Sequence, residues 1–239
     1  MILKTAVKRL LGDAYRWVAR TLEIATERRL NIDTAGSPYR QNVDHMARNL
    51  HYEPIPYAAL RKISRLLTFG PDDVICDLGC GKGRILCWFA TLTESRCFGV
   101  DIDEVLIAAA RNNIARLAGR LAPIEVHVQD ATQTPFANVT VVIMFNPFGK
   151  DVLRAVLSAM CDSLRQSPRA LTIIYINPVH LTVFEGFPQF QVTDCFSYLY
   201  NLVPTATVVV MRANPHHHSF QMSVAGYADN SHGKPVKRH

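Results

Sequence analysis

Between residues 73 and 176 the chain alternates short apolar runs with stretches of helical spacing. That rhythm constrains the fold more than any other feature. The runs 73–77, 96–100, 124–128, 139–145 and 170–176 predict strands, and 82–92, 103–118 and 149–165 predict helices. The unbroken apolar run from Val139 to Phe145 is the pattern of a strand buried on both faces. Such alternation makes a parallel sheet with helices on both sides and right-handed crossovers. After Pro178 the rhythm breaks. A short helix is expected over 179–185, followed by strand-like runs at 189–200 and 203–212. They lie too close together for a crossover helix, so they should pair antiparallel and end the sheet in a hairpin.

Upstream, residues 2–29 read as one helix. Leu3, Val7, Leu10, Leu11, Ala14, Val18, Leu22 and Ala25 recur at three-to-four spacing, with Lys4, Lys8, Arg9, Arg16, Arg20 and Glu27 on the other face. The plain expectation is a helix laid on the domain by its apolar stripe, its basic face solvated. The sharper reading is contact with an acidic partner or an anionic membrane surface. Residues 31–56 look irregular, broken by Asn31, Asp33, Gly36 and Pro38. The segment from His51 to Tyr57, stiffened by Pro54 and Pro56, is either a connector or a lid and substrate wall. Residues 57–68 predict a short helix with Ala58, Leu60, Ile63, Leu66 and Leu67 inward, closed by Gly70-Pro71. The tail 213–239 is polar, rich in His, and expected to be disordered. His216–His218 in such a tail offer no preorganised metal site, so no metal is expected. The division is thus 1–56 as N-terminal helix and connector, 57–212 as the main domain, and 213–239 as tail.

Charge narrows the partners. The net charge of +6 comes from the two ends: residues 1–30 carry seven Lys/Arg against three Asp/Glu, and residues 212–239 carry four against one. The near-neutral middle argues against a nucleic-acid-binding body. The six cysteines form no CxxC pair and no zinc spacing. Four of them lie in apolar runs or beside the glycine turn and read as small core residues, and free thiols predict a reducing compartment. No apolar run nears the ~18 residues that span a bilayer, and no secretory h-region appears. A soluble, cytoplasmic chain is expected.

The chemistry-bearing residues gather at strand ends. The first strand runs into Asp77-Leu78-Gly79-Cys80-Gly81-Lys82-Gly83, a glycine-rich turn opening a helix. This is a way to hold a nucleotide-like ligand against a sheet. Asp101 follows the second strand, 24 residues after Asp77. That is near the ~20-residue spacing at which an acid reaches ribose hydroxyls. Asp103 is the alternative ribose ligand, and is better suited to cap the next helix. Asp130 ends the third strand, where it can accept from an adenine amine or simply form a turn. Asn146-Pro147-Phe148-Gly149 ends the fourth. His127 alternates with valines and reads as structural. The spacing G-x-G-x-G, preceded by an acid, departs from the NAD signature G-x-G-x-x-G. Lys82 is followed by Gly rather than Ser or Thr, which excludes a P-loop.

The order DLGCGKG, GVDID, QDAT and NPFG, with a terminal hairpin, resembles the class I methyltransferases dependent on S-adenosyl-L-methionine (SAM). The resemblance covers roughly residues 70–212; YEPIPY and NPF also look like small bacterial members of undefined substrate. It implies a Rossmann-like α/β fold. The sheet would have seven strands, mostly parallel, with helices on both faces, and an N-terminal helical extension would precede it. It implies SAM as cofactor and S-adenosyl-L-homocysteine as product. The implied cofactor residues are Asp77, Gly79, Cys80, Gly81, Gly83, Asp101, Ile102, Asp130, Ala131 and Asn146. Asn146, Pro147 and Phe148 are implied at the acceptor. In relatives that methylate planar nitrogens, Asn/Asp-Pro-Pro-aromatic stands here. In this chain Phe148 replaces the second proline and Gly149 the aromatic, which argues against a base or glutamine amide target. Asn177-Pro178 repeats the Asn-Pro pair and is expected nearby, as an opposite wall. The glycine turn also resembles the Rossmann-like lysine methyltransferases that act on histones. The expected activity is methyl transfer to an N or O nucleophile of a small molecule or protein. The alternative is an inactive SAM-fold binding protein that touches RNA or an anionic membrane through the N-terminal helix.

Overall fold

The computed structural model describes residues 2–36, 52–200 and 203–213. The His-rich tail after Ala213 and the start of the His51–Tyr57 segment lie outside these residues. The chain opens with helix α1 (Ile2–Leu30), and a second helix, α2 (Tyr57–Leu66), precedes the sheet. Seven strands follow: β1 (Val74–Leu78), β2 (Arg96–Asp101), β3 (Ile124–Val128), β4 (Val141–Phe145), β5 (Leu171–Ile176), β6 (Gln191–Tyr200) and β7 (Val203–Ala213). Between them lie α3 (Arg84–Phe89), α4 (Glu104–Arg116) and α5 (Lys150–Gln166), with 3-10 turns at Ala131–Gln133 and Leu181–Gly186. The 179–185 helix predicted from sequence is thus a 3-10 turn that starts two residues later and ends one residue later.

The sheet order is β3-β2-β1-β4-β5-β7-β6. The five strands through β5 are parallel, and β7 is antiparallel to both β5 and β6. The strand order reverses between β1 and β4, which places a ligand crevice outside their carboxyl ends. Burial explains the apolar runs: β4 is buried from Val141 to Met144, and β5 is buried at every position except Thr172. Two apolar layers flank the sheet. One joins Ile75, Leu86, Phe89 and Ile107 with Leu30, Ile32, Leu60 and Ile63. The other joins Leu78, Met144 and Tyr175 with Leu153, Leu157 and Met160 of α5. Asp103 caps α4 by accepting from the N–H groups of Val105 and Leu106, as its position predicts.

The N-terminal helix differs from expectation. Ala14, Val18, Leu22 and Ala25 are exposed, while Thr26, Glu27 and Leu30 are buried. Over residues 13–30 the helix therefore docks by a polar face rather than by its apolar stripe; the side chains of Leu3, Val7, Leu10 and Leu11 lie outside the described residues. The reason is Arg84, the first residue of α3, which is only 4% exposed. Its guanidinium donates to Glu23 at 2.6 Å, to Thr34 Oγ1 at 2.6 Å and to the Ile55 carbonyl at 2.8 Å. It also lies 3.3 Å from the Glu27 carboxylate and 4.4 Å from the Tyr57 ring centre. Glu27 in turn accepts from Thr34 N, Thr34 Oγ1 and Tyr57 OH. Four elements distant in sequence meet on one buried cation. A smaller correction concerns α2: Tyr57, Ala59, Leu60 and Ile63 face inward, while Ala58 and Leu66 are exposed. Leu60, Ile63 and Leu67 are buried as expected, and Tyr57 joins them, its hydroxyl donating to Glu27.

Removing one partner of a buried ion pair leaves the other charged and dry, at a cost of about 3–5 kcal/mol. Arg84→Met is therefore expected to lower the free energy of unfolding by that amount. Adding Glu27→Gln should restore part of it, as measured by equilibrium unfolding.

Candidate functional site

A cavity of about 550 Å³ opens at the carboxyl ends of β1, β2 and β4. Its floor is the turn after β1, which is tied to the neighbouring strand. Gly79 N–H and Cys80 N–H both donate to the Val100 carbonyl, at 2.9 and 3.0 Å. Gly81 N–H donates to Asp101 Oδ2 at 2.9 Å. The carboxylate expected at a ribose therefore also fixes the glycine turn. Asp101 Oδ1 accepts from Asp103 N–H at 3.0 Å, which holds the carboxylate plane over the cavity.

Two of the glycines are required by close neighbours. Gly79 has φ +75° and Gly81 φ +52°. A Cβ on Gly79 would sit 2.6 Å from Pro147 Cβ, and one on Gly81 would sit 2.5 Å from the Tyr52 ring. Pro147 and Tyr52 thus press the walls of the cavity onto its floor. Gly83 differs from expectation: it lies outside the cavity, where it opens α3.

The other predicted residues converge. Asp77, Cys80, Ile102, Asp130, Ala131, Asn146, Pro147 and Phe148 line the cavity with Gly79, Gly81 and Asp101. Asp130 sits at its edge, exposed, and accepts from Thr132 N–H and Thr132 Oγ1, both at 2.8 Å. Those two bonds pull its carboxyl below the usual carboxylate range. Both go to Oδ1, so the capping role and contact with a ligand are compatible. Asn146 and Asn177, at the ends of the adjacent strands β4 and β5, have φ +40° and +50° and both line the cavity. Tyr52, Glu53, Pro54 and Ile55 form a further wall, so the segment before Tyr57 is not a bare connector. Tyr52 is anchored by its hydroxyl, which donates to the Thr34 carbonyl at 2.7 Å.

Two participants escape sequence reasoning. Tyr175, buried in β5, places its hydroxyl 3.3 Å from Asn146 Oδ1 and so orients the amide. Arg84, which lines the cavity, braces the wall through the Ile55 carbonyl. Tyr175 is buried in an apolar layer and Arg84 directly follows the glycine turn, and neither position announces its partner in the sequence.

Asp77 is 1% exposed, and its Oδ2 has no hydrogen-bond partner among the described residues. Burial, and then the charge of Asp101, push its carboxyl well above the usual range. Asp101 is raised by burial too. A cavity with an unsatisfied buried acid is completed by a ligand that brings positive charge or donors. SAM, with its ammonium, sulfonium and vicinal hydroxyls, fits that need. The thiols beside the floor are quiet: burial pushes Cys80 well up, and Cys87 and Cys97 up to about 12. Among the described residues no group of His, Cys, Asp and Glu could hold a metal ion. His127 lies exposed on β3, 3.8 Å from Glu125 and outside the cavity lining.

Comparison with known proteins places this geometry. Residues 75–167 match a family model described as a methyltransferase domain. A protein-lysine N-methyltransferase of Saccharolobus islandicus is 32% identical over 89 residues, covering 34% of this chain and 55% of that protein. An uncharacterized protein of Methanocaldococcus jannaschii is also 32% identical over 89 residues, covering 33% of this chain and 41% of its own. The chain spans about half the length of the curated relatives it matches. An RNA methyltransferase from Salinibacter ruber, solved with S-adenosyl-L-homocysteine, superposes with a TM-score of 0.52 at 20% identity. The match covers 72% of this chain and 99% of that one. The fold is shared with that methyltransferase structure, and residues 75–167 match the methyltransferase-domain model.

A carboxyl whose folded-state pKa is raised favours folding at low pH and loses that contribution as pH rises. Asp77 and Asp101 both shift upward. The ligand-free protein should therefore lose stability as pH climbs above about 4, the ordinary Asp value. The slope should be shallower in Asp77→Asn, as read by melting temperature against pH.

Proposed function

We propose that this protein transfers a methyl group from SAM to an N or O nucleophile of a small molecule or a protein. The observation that carries the reading is the convergence of Asp77, Asp101, Asp130 and the glycine turn on one cavity at the switch point of a methyltransferase sheet. The roles divide by chemistry. Asp101 accepts the ribose hydroxyls with the lone pairs left by Gly81 N–H and Asp103 N–H. Asp130 reaches the adenine amine through Oδ2. Asp77 neutralises positive charge above the turn. Ile102 and Ala131 flank the base, and Cys80 packs beneath the turn.

When bound, SAM supplies an electrophilic methyl on a sulfonium. The protein's task is then positioning: holding an acceptor in line and ~3 Å away provides much of the acceleration. Asn146, Pro147 and Phe148 form that acceptor wall, with Asn177 beside them. The Asn146 amide, oriented by Tyr175, accepts from the acceptor's N–H or O–H, and Phe148 gives it an apolar surface. The name of the Saccharolobus islandicus relative supports testing a lysine amine first. The competing reading, a SAM-fold binding protein without activity, predicts cofactor binding with no turnover.

Incubation of the full chain with cell lysate and methyl-labelled SAM tests the proposal by separating label in small molecules from label in protein. Asp101→Ala should abolish cofactor binding in calorimetry. Asn146→Ala should keep binding within a few-fold and lower turnover by about 10²-fold. Bound SAM with no transfer to any fraction would leave the inactive binder. No SAM binding at all would overturn the cofactor assignments.

A further inference from the structure

The exposed stripe of α1 has no role in the site. A period of 3.6 residues sets Ala14, Trp17, Val18, Leu22, Ile24 and Ala25 on one side of the helix, opposite Glu23, Thr26, Glu27 and Leu30. The second set docks on the domain. The first set faces away, with Trp17 70% exposed, Leu22 50%, Val18 47% and Ile24 43%. Large apolar side chains gathered on one face of a charged helix mark an interaction surface.

Charge selects the partner. From Met1 to Leu22 the sequence carries Lys4, Lys8, Arg9, Arg16 and Arg20 against Asp13 alone. Arg16, Arg20 and Arg28 of the helix and Arg61 beyond it line an adjoining groove of about 880 Å³ with Val18, Leu22 and Ile24, and Glu23, Glu27 and Asp33 line it too. No helix among the described residues is long and apolar enough to cross a membrane. Trp and aliphatic residues on one face with Lys and Arg on the other is the composition of a helix that lies in a bilayer interface and binds anionic lipid. We propose that α1 docks the protein on an anionic membrane surface, with Trp17, Val18, Leu22 and Ile24 in the headgroup–acyl boundary and the basic residues on lipid phosphates. A second copy of the chain would pair the same strip but would set like charges against each other. RNA would engage the arginines and leave the strip bare.

The experiment uses the full chain with vesicles of phosphatidylcholine alone, or of phosphatidylcholine with phosphatidylglycerol. Trp88 is only 5% exposed, so a blue shift of emission on binding reports Trp17. The protein should cosediment with the phosphatidylglycerol vesicles, shift its emission, and be released by salt. Leu22→Glu, and separately Arg16→Glu with Arg20→Glu, should each weaken partitioning by about tenfold or more, and a urea midpoint matching the parent would show that the fold is kept. Should neither variant keep that midpoint, removal of Trp17 quenching by vesicles with brominated acyl chains at high salt decides instead. The proposal is overturned by no retention on phosphatidylglycerol vesicles, by retention that Leu22→Glu leaves unchanged, or by a Leu22-dependent dimer or RNA complex without vesicle binding.

Discussion

Everything around the cavity depends on the burial of one guanidinium. Arg84 follows directly on the glycine turn, so whatever it holds is held at a fixed distance from the cavity floor. It holds Glu23 and Glu27 of α1, Thr34, and the carbonyl of Ile55. A buried cation is tolerated only when paired and fully hydrogen-bonded, and this requirement draws the N-terminal segment onto the sheet domain. The wall at Tyr52–Ile55 is therefore positioned by electrostatics rather than by apolar packing alone. Thr34 links the two ends of the arrangement: its hydroxyl meets Arg84 and Glu27, and its carbonyl takes the Tyr52 hydroxyl.

A second coupling operates on the floor. Asp101 is shared between the glycine turn and the space above it, because Gly81 N–H uses one lone pair and leaves others free. Binding at the hydroxyl subsite and order in the turn are thus expressed through one carboxylate. The unsatisfied oxygen of Asp77 lies in the same small volume, and the charge of Asp101 adds to its burial. Two raised acids side by side favour a cationic occupant and disfavour a neutral one of the same shape.

Much of this was legible in the sequence because strands buried on both faces and amphipathic helices leave different periods. The run Val139–Phe145 gave β4, and the short gap before Val203 gave the antiparallel hairpin. The placement of Asp77, Asp101 and Asn146 on one cavity was legible because residues at strand ends beside a switch point gather at the same crevice. Orientation was not. Periodicity shows that α1 has an apolar face but not on which side the domain lies; that was decided by Arg84, more than fifty residues away. In α2 the burial of Leu60, Ile63 and Leu67 followed the period, whereas that of Tyr57, whose hydroxyl reaches Glu27, did not. Gly83 belonged to the glycine pattern but serves the start of a helix, and the pairing of Tyr175 with Asn146 exists only once β4 and β5 lie side by side.

The left-handed backbone at Asn146 and Asn177 has a consequence for how this site can vary. A left-handed residue other than Gly costs roughly 1–2 kcal/mol, less for Asn than for most side chains. Glycine relaxes both positions, alanine strains them, and a β-branched residue is nearly forbidden. Any comparison of side chains there mixes backbone cost with amide chemistry, and the pair Asn→Gly and Asn→Ala separates the two. By the same reasoning, natural variation at the ends of β4 and β5 should run along Asn, Gly and Asp: a vocabulary dictated by a torsion angle before any acceptor is chosen.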